Sequence, residues 1–424
     1  MKIAYISQSY PPMISGAAIV VKRLAVGMLG RGHTVMVIAA SDKGDAYTRR
    51  FENMRVVRLK SIPNPKRANQ QFVPWSYKEI HSQLGAFRPD LIHIHDVLMM
   101  GVCGLAAGRR MDIPVIGTIH QLPWFVSAYL PEVPGLKPTV EDCLWKYSRW
   151  LNGQCQMMIV PTETISRTIK NHGGFQTVAI SNGVDLEHFS PLPGNRARDA
   201  GMFEKYSLDP ARPIILHVGR LDADKRVDVV IRAAALAMRT LRAQLLVLGD
   251  GECREDLIDL SKQLGILKHS RFPGFVDLAT DLPSLYRISA VFSTASEIET
   301  QGLVLLEAMA SGLPVVAVDA TCIHEVVKHK VNGYLIPPGD KYGIAQALVK
   351  VLQNPARARQ MGEAGRSIVQ AHSTQDSLDQ HERLYREILH HYSPRRDKSR
   401  SILYRSTAQN THHTRFSEFK RKGN

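Results

Sequence analysis

A chain of 424 residues exceeds one ordinary hydrophobic core, so two domains of roughly 190 residues and a tail are expected. Lysine and arginine number 54 against 39 acids, a net charge of +15, which favours anionic partners such as nucleotide phosphates, lipid headgroups or nucleic acid. Cysteines 103, 143, 155, 253 and 322 form no CxxC pair, which argues against zinc ribbons and disulfide scaffolds, and the longest apolar stretch, 91–108, is broken by His93, His95 and Asp96 and cannot span a bilayer.

Residues 2–6 read as a short buried strand, not a targeting leader, which places the protein in the cytoplasm or peripherally on the inner face of a membrane. A turn from Tyr10 to Gly16 feeds a helix over 17–30, with Val20, Leu24 and Met28 on one face, and then a strand over 34–39. This is a βαβ opening. Ala17 and Ala18 follow Gly16, so the loop is no G-x-G-x-x-G fingerprint; the glycine suits close approach to a ligand and a plain turn equally. Strands at 89–96 and 113–120 end in polar residues, and His120 stands where strand passes to loop, either as a site residue or as a structural histidine.

Beyond His120 the texture becomes aromatic, with Trp124, Phe125, Tyr129, Trp145, Tyr147 and Trp150 interleaved with Lys137, Lys146 and Arg149. Thr139 and Asp142 resemble a capping box opening a helix over 139–152, whose face would be Val140, Leu144, Tyr147 and Leu151. Trp124, Phe125, Trp145 and Trp150 suit a membrane interface or a lid beneath an acceptor cleft. A strand at 157–160 and a strand and sharp turn at 179–185 complete a domain spanning 1–188, and residues 189–212, rich in Pro, Gly and charge, read as a linker.

The pattern restarts with a strand over 214–218 and the loop Gly219-Arg-Leu-Asp-Ala-Asp-Lys-Arg226, where Arg220 and Lys225 would clamp a diphosphate. Asp222-Ala-Asp224 spells D-x-D, but the flanking cations make a metal role a coincidence of spelling. After a strand and glycine turn ending in Gly249-Asp-Gly251, the strand over 290–292 opens into a polar loop at 293–301 and a helix from Gly302. The free N–H groups of Gly302 and Leu303 suit a phosphate. Glu299 and Glu307 flank that anion site, which suits hydroxyls of a sugar and a ribose, or else an N-cap and a solvated helix residue. The second domain runs over 213–372, a crossover helix over 373–393, and a basic disordered tail over 394–424, where nine Lys/Arg against two acids leave +8 on the rest.

With these residues assembled, the chain resembles the family 4 retaining glycosyltransferases over roughly residues 1–390. The ordered set that carries the resemblance is Gly16, Thr118-Ile-His120, Ser181-Asn-Gly-Val-Asp185, Gly219-Arg220 with Lys225, Gly249-Asp-Gly251, and Glu299 and Glu307 with Gly302. The resemblance implies an α/β GT-B fold: two Rossmann-like parallel-sheet domains facing across a cleft, with the last helix crossing back to the first domain. It implies that Glu299 holds donor-sugar hydroxyls, Glu307 the ribose, and Thr300, Gln301, Gly302 and Leu303 the diphosphate through backbone N–H groups. Arg220 and Lys225 would stabilise the leaving charge, Gly16 would lie near the distal phosphate, His120 near the anomeric carbon, and Phe275 and Val276 against the base. Gly219 and Gly249 would line the donor site. No cofactor or metal is implied, since the nucleotide sugar is itself a substrate.

Two departures stand out. Ala17 replaces the second of two adjacent glycines, and Gln301 replaces the commoner Phe before the Gly, a variant that looks like the branch glycosylating membrane lipids such as diacylglycerol. The expected activity is therefore transfer of a hexose from a UDP-glucose or GDP-mannose type donor to a lipid hydroxyl. Alternatives are a soluble or polysaccharide acceptor, or nucleotide-sugar 2-epimerisation. No nucleic-acid-binding module is visible.

Overall fold

The computed structural model describes residues 1–51, 53–64, 70–96, 98–127, 130, 133–192 and 196–392; the basic tail expected over 394–424 lies outside the described residues, as does Tyr129. The first half contributes strands β1 (Lys2–Ser7), β2 (Thr34–Ala40), β3 (Tyr47–Phe51), β4 (Met54–Leu59), the short pair β5 (Ile62–Pro63) and β6 (Gln71–Phe72), then β7 (Leu91–Ile94), β8 (Val115–Thr118), β9 (Met157–Val160) and β10 (Thr177–Ala179). Eight of them form one sheet in the order β10-β9-β8-β7-β1-β2-β4-β3, parallel except where β3 runs against β4. The second half contributes β11 (Ile214–Val218), β12 (Gln244–Leu248), β13 (Ser270–Gly274), β14 (Val291–Thr294), β15 (Val315–Val318) and β16 (Gly333–Ile336). These form an all-parallel sheet in the order β13-β12-β11-β14-β15-β16.

Helices cover both faces, so the central strands are apolar along their whole length rather than alternating, as parallel sheets require. β12, for example, is Gln-Leu-Leu-Val-Leu with all five residues buried. Strand order reverses beside β1 in the first sheet and beside β11 in the second, which opens a crevice at the carboxyl ends of those strands.

The last helix, Thr374–His391, returns to the first domain. Leu378, Leu384, Tyr385 and Ile388 are buried in a cluster with Tyr5, Val21, Leu24 and Met28. Glu382 ties the helix down by accepting from Arg31 at 2.8 Å, with His33 at 3.1 Å, and pairs along its own helix with Arg386 at 2.7 Å. The chain therefore passes between domains twice, and the two passages lie side by side: the Val184 N–H donates to His372 O and the Thr374 N–H to Val184 O.

Three sequence expectations change. Residues 189–212 are not a bare linker, because Arg196–Lys205 is a helix and Phe189, Met202 and Leu208 are buried in the second core. Arg287 pairs with Asp199 at 2.8 Å to hold it there. The Thr139 capping box does not form: Gly135 at φ 77° starts the helix Leu136–Asn152 one turn earlier, and the Thr139 hydroxyl donates to the Gly135 carbonyl at 2.7 Å. The helix Pro355–Val369 is an addition, with Asn354 as its cap accepting from the Arg357 N–H.

Candidate functional site

The loop after β11 carries Gly219, Arg220 and Lys225. Its course depends on Gly249, which sits at φ 121° after β12; a Cβ there would lie 1.8 Å from the Gly219 carbonyl oxygen. Only glycine permits the two strand-end loops to touch. Arg220 pairs with Asp222 and, at 2.9 Å, with Asp224, so both acids of the D-x-D are engaged by a guanidinium. Lys225 Nζ donates to Glu299 at 2.6 Å and to Ser296 Oγ at 3.3 Å. Beneath them His217 is buried, with Nδ1 at 3.0 Å from Ser293 O, and burial pushes its imidazole down to about 4.

After β14 the chain turns through Glu299–Gln301 into the helix Leu303–Ala310. Gly302, at φ 77°, is its N-cap residue, so the first-turn N–H groups face outward from a helix start with no side-chain cap. Glu307 lies on the buried side of this helix, 7% exposed. The Tyr286 hydroxyl donates to it at 3.1 Å. Burial pushes its carboxyl up to about 7, against the opposing field of Arg23.

On the opposite wall, Gly16 opens the helix Gly16–Gly30 behind the Ser15 cap, and a Cβ on it would meet Leu303 Cδ1 at 3.7 Å. His120 follows β8, half-buried, with burial pushing it down to about 4. Phe125 lies under the Arg220 guanidinium at 5.5 Å. The two walls are joined at the loop between Glu299 and Gly302. Thr300 donates to His120 O at 3.3 Å, and Thr162 donates to Thr300 O at 3.1 Å. Glu325 accepts the Glu163 and Thr164 amides, capping the helix Glu163–Asn171 from the other domain.

The Gln301 side chain is 2% exposed: Nε2 donates to Ser181 Oγ at 2.6 Å, and Oε1 accepts the Asn182 N–H at 3.0 Å. It is a bolt between domains, a role separate from the backbone N–H expected to face the diphosphate. Trp145 requires a correction. It is 5% exposed, stacked on His172 at 4.2 Å, and so not a membrane contact. Phe125 is also buried, Trp124 packs edge-on against Trp145 at 6.1 Å, and of the four only Trp150 is well exposed, at 58%. Phe275 is exposed and follows Gly274, whose carbonyl accepts the Gly249 N–H; Val276 packs on the second core.

The structure thus brings Arg220, Lys225, Glu299, Thr300, Gly302, Leu303, Gly16, Phe125 and His120 to one crevice. Sequence reasoning missed Arg23, which donates to the carbonyls of Asn182 and Gly183, and Tyr286 and His95, which contact Glu307 and His120. Among the described residues no helix is long and apolar enough to cross a membrane.

Two family models match the chain in succession. Residues 14–188 match the model of Glycosyltransferase Family 4, and residues 200–368 match Glycosyl transferases group 1. An uncharacterized glycosyltransferase of Methanocaldococcus jannaschii is 29% identical over 369 residues, covering 84% of this chain and 90% of its own. The alpha-monoglucosyldiacylglycerol synthase of Streptococcus pneumoniae is 24% identical, over 79% of this chain and 75% of its own. Among solved structures, sucrose-phosphate synthase from Thermosynechococcus elongatus superposes with a TM-score of 0.78 at 24% identity, over 92% of this chain and 99% of that one.

Proposed function

The chain belongs to the family 4 glycosyltransferases of GT-B fold, and from that premise we propose that it moves a hexose, with retention, from a nucleoside diphosphate sugar to a hydroxyl of a membrane lipid. The observation that carries the donor half is the convergence of Arg220, Lys225 and the start of the Leu303–Ala310 helix on one crevice that also holds Glu299. Cleaving a sugar–diphosphate bond builds negative charge on the departing group. Two fixed cations and a helix terminus worth about half a unit charge oppose that charge without reorganising. Glu299 would accept from sugar hydroxyls with Lys225 Nζ 2.6 Å away. Among the described residues no side chain stands as an evident nucleophile, so the departing phosphate oxygen would take the acceptor's proton on the same face. Arg220 and Lys225 supply the charge that a resident metal would otherwise supply, so the proposed reaction needs none.

The lipid half rests on the Gln301 variant and on the diacylglycerol-directed relative. A second reading, a soluble or polysaccharide acceptor, is favoured by one observation: Trp145 and Phe125 are buried and unavailable to a membrane. Donor turnover with UDP- and GDP-hexoses, with and without vesicles containing diacylglycerol, separates the two. Glycolipid formed only with vesicles supports the lipid acceptor; turnover with soluble acceptors alone overturns it. A donor epimerised with no acceptor present would overturn transfer altogether. Arg220→Ala and Lys225→Ala should each lower turnover about tenfold or more, and unchanged turnover in both would remove them from the mechanism.

A further inference from the structure

Beneath the crevice lies a buried stack of imidazole and phenol rings. His93 and His95 lie with centroids 4.1 Å apart, and His95 stacks on His120 at 5.3 Å and 19°. Both nitrogens of His93 are occupied, Nδ1 by the Tyr385 hydroxyl at 2.8 Å and Nε2 by Thr118 Oγ1 at 2.7 Å. Tyr385 comes from the crossover helix and is itself buried against Tyr5. His95 is held by this stack and by its main-chain N–H, which donates to Ile6 O at 2.8 Å. Its Nδ1 lies 3.1 Å from His120 Nε2, whereas its Nε2 is buried with no partner among the described residues.

That geometry makes the two tautomers of the pair unequal. Burial keeps both rings neutral, so a single proton lies between His95 Nδ1 and His120 Nε2. If His120 donates it, His95 must carry its own proton on the buried Nε2, leaving an N–H donor orphaned. If His95 donates it, the orphan is only an aromatic lone pair. Orphaned buried donors are the rarer and costlier defect, so the second arrangement prevails. His120 then carries its proton on Nδ1, the nitrogen outside this bond and outside the buried polar atoms that lack partners.

We propose that His95 is a positioning residue that locks His120 as the Nδ1–H tautomer, so that the imidazole presents an N–H donor, not a lone pair, to a hydroxyl oxygen of the donor sugar. On this assignment His120 is not the base that deprotonates the acceptor; it is a hydrogen-bond donor that orients the sugar. The inference rests on the glycosyl-transfer reading for its ligand, but not for its tautomer.

The test therefore has two arms. In the full chain labelled with 15N-histidine, the His120 signal, assigned by its loss in His120→Ala, should report Nδ1 protonated and Nε2 bare. His95→Leu should release it toward a mixture or the Nε2–H form. His95→Asn, whose amide nitrogen overlays imidazole Nδ1, should restore it. In turnover, His95→Leu should lower kcat about tenfold with KM changed less than about threefold, and His95→Asn should recover most of the loss. Wild-type His120 protonated on Nε2, or a tautomer indifferent to His95→Leu, overturns the proposal. Should His95→Leu fail to fold, the wild-type and His95→Asn spectra decide it. Absence of turnover with any nucleotide sugar would refute the function while leaving the tautomer arm intact.

Discussion

Replacing Gln301 by Met keeps the length and volume of the side chain and removes only its polarity. Two hydrogen bonds across the domain boundary, at 2.6 and 3.0 Å, disappear, at about 1 kcal/mol each. The Asn182 N–H, in a residue 8% exposed, is then left without its acceptor, which costs about 1 kcal/mol more. The sum is about 3 kcal/mol, roughly a hundredfold in an equilibrium between joined and separated domains. Urea unfolding followed by tryptophan fluorescence should show the loss, either as a lower midpoint or as a transition that splits in two. A Ser181→Ala cycle should return a coupling of about 1 kcal/mol, because the partners touch. If Gln301→Met unfolds within about 0.5 kcal/mol of wild type, the range of ordinary surface changes, the bolt carries no weight and the domains are held otherwise.

Gly249→Ala forces a Cβ to 1.8 Å from Gly219 O at a φ of 121°, and should cost about 3 kcal/mol or more, seen as lost soluble yield or a sharply lower Tm. Arg386, Arg31 and His33 hold the Glu382 carboxylate down to about 2. Its folded pKa is depressed, so its contribution is complete above the ordinary carboxylate range, near 4.5, and fades as pH falls toward 2. Glu382→Gln should therefore flatten the acid limb of the urea midpoint against pH, and an unchanged limb would show the helix docking independently of that carboxylate. If Arg220 and Lys225 carry the leaving charge, transfer should persist in excess EDTA at more than about half its rate; abolition reversed by Mg2+ would assign the charge stabilisation to a metal.

Much of this arrangement is legible in the chain because it is local. β11, β14, β15 and the Leu303–Ala310 helix are announced by apolar runs bounded by glycine, proline or polar residues, and Gly302 and Gly249 stand where the backbone needs positive φ. The Leu136–Asn152 helix shows the limit. Of the expected face, Leu151 is buried and Tyr147 packs on the core, but Trp145 and Asn152 are buried beside them while Leu144 is only half-buried. The helix after Asn354-Pro355 had its start written in those two residues, a cap and a proline at the first position, and was readable. Arg23, Tyr286 and His95 were not. Arg23 meets Asn182 and Gly183 across about 160 positions, and no periodicity records such a meeting. Nothing local announces what the Gln301 side chain holds; only the second domain's approach to Ser181 shows it.

The crossover helix also fixes the order in which the molecule can be completed. The first domain is made first, yet the groove over Tyr5, Val21 and Met28 is filled by Leu378, Tyr385 and Ile388, among the last described residues to be synthesised. Until Thr374–His391 emerges, the first domain must exist with an apolar groove open to water, while the second can close its own core. A chain ending before residue 374 should fail in the first domain, not in the second, which adjoins the cut. Stability of the N-terminal half is thus a property of the finished polypeptide, and a truncation there reports on folding at the opposite end.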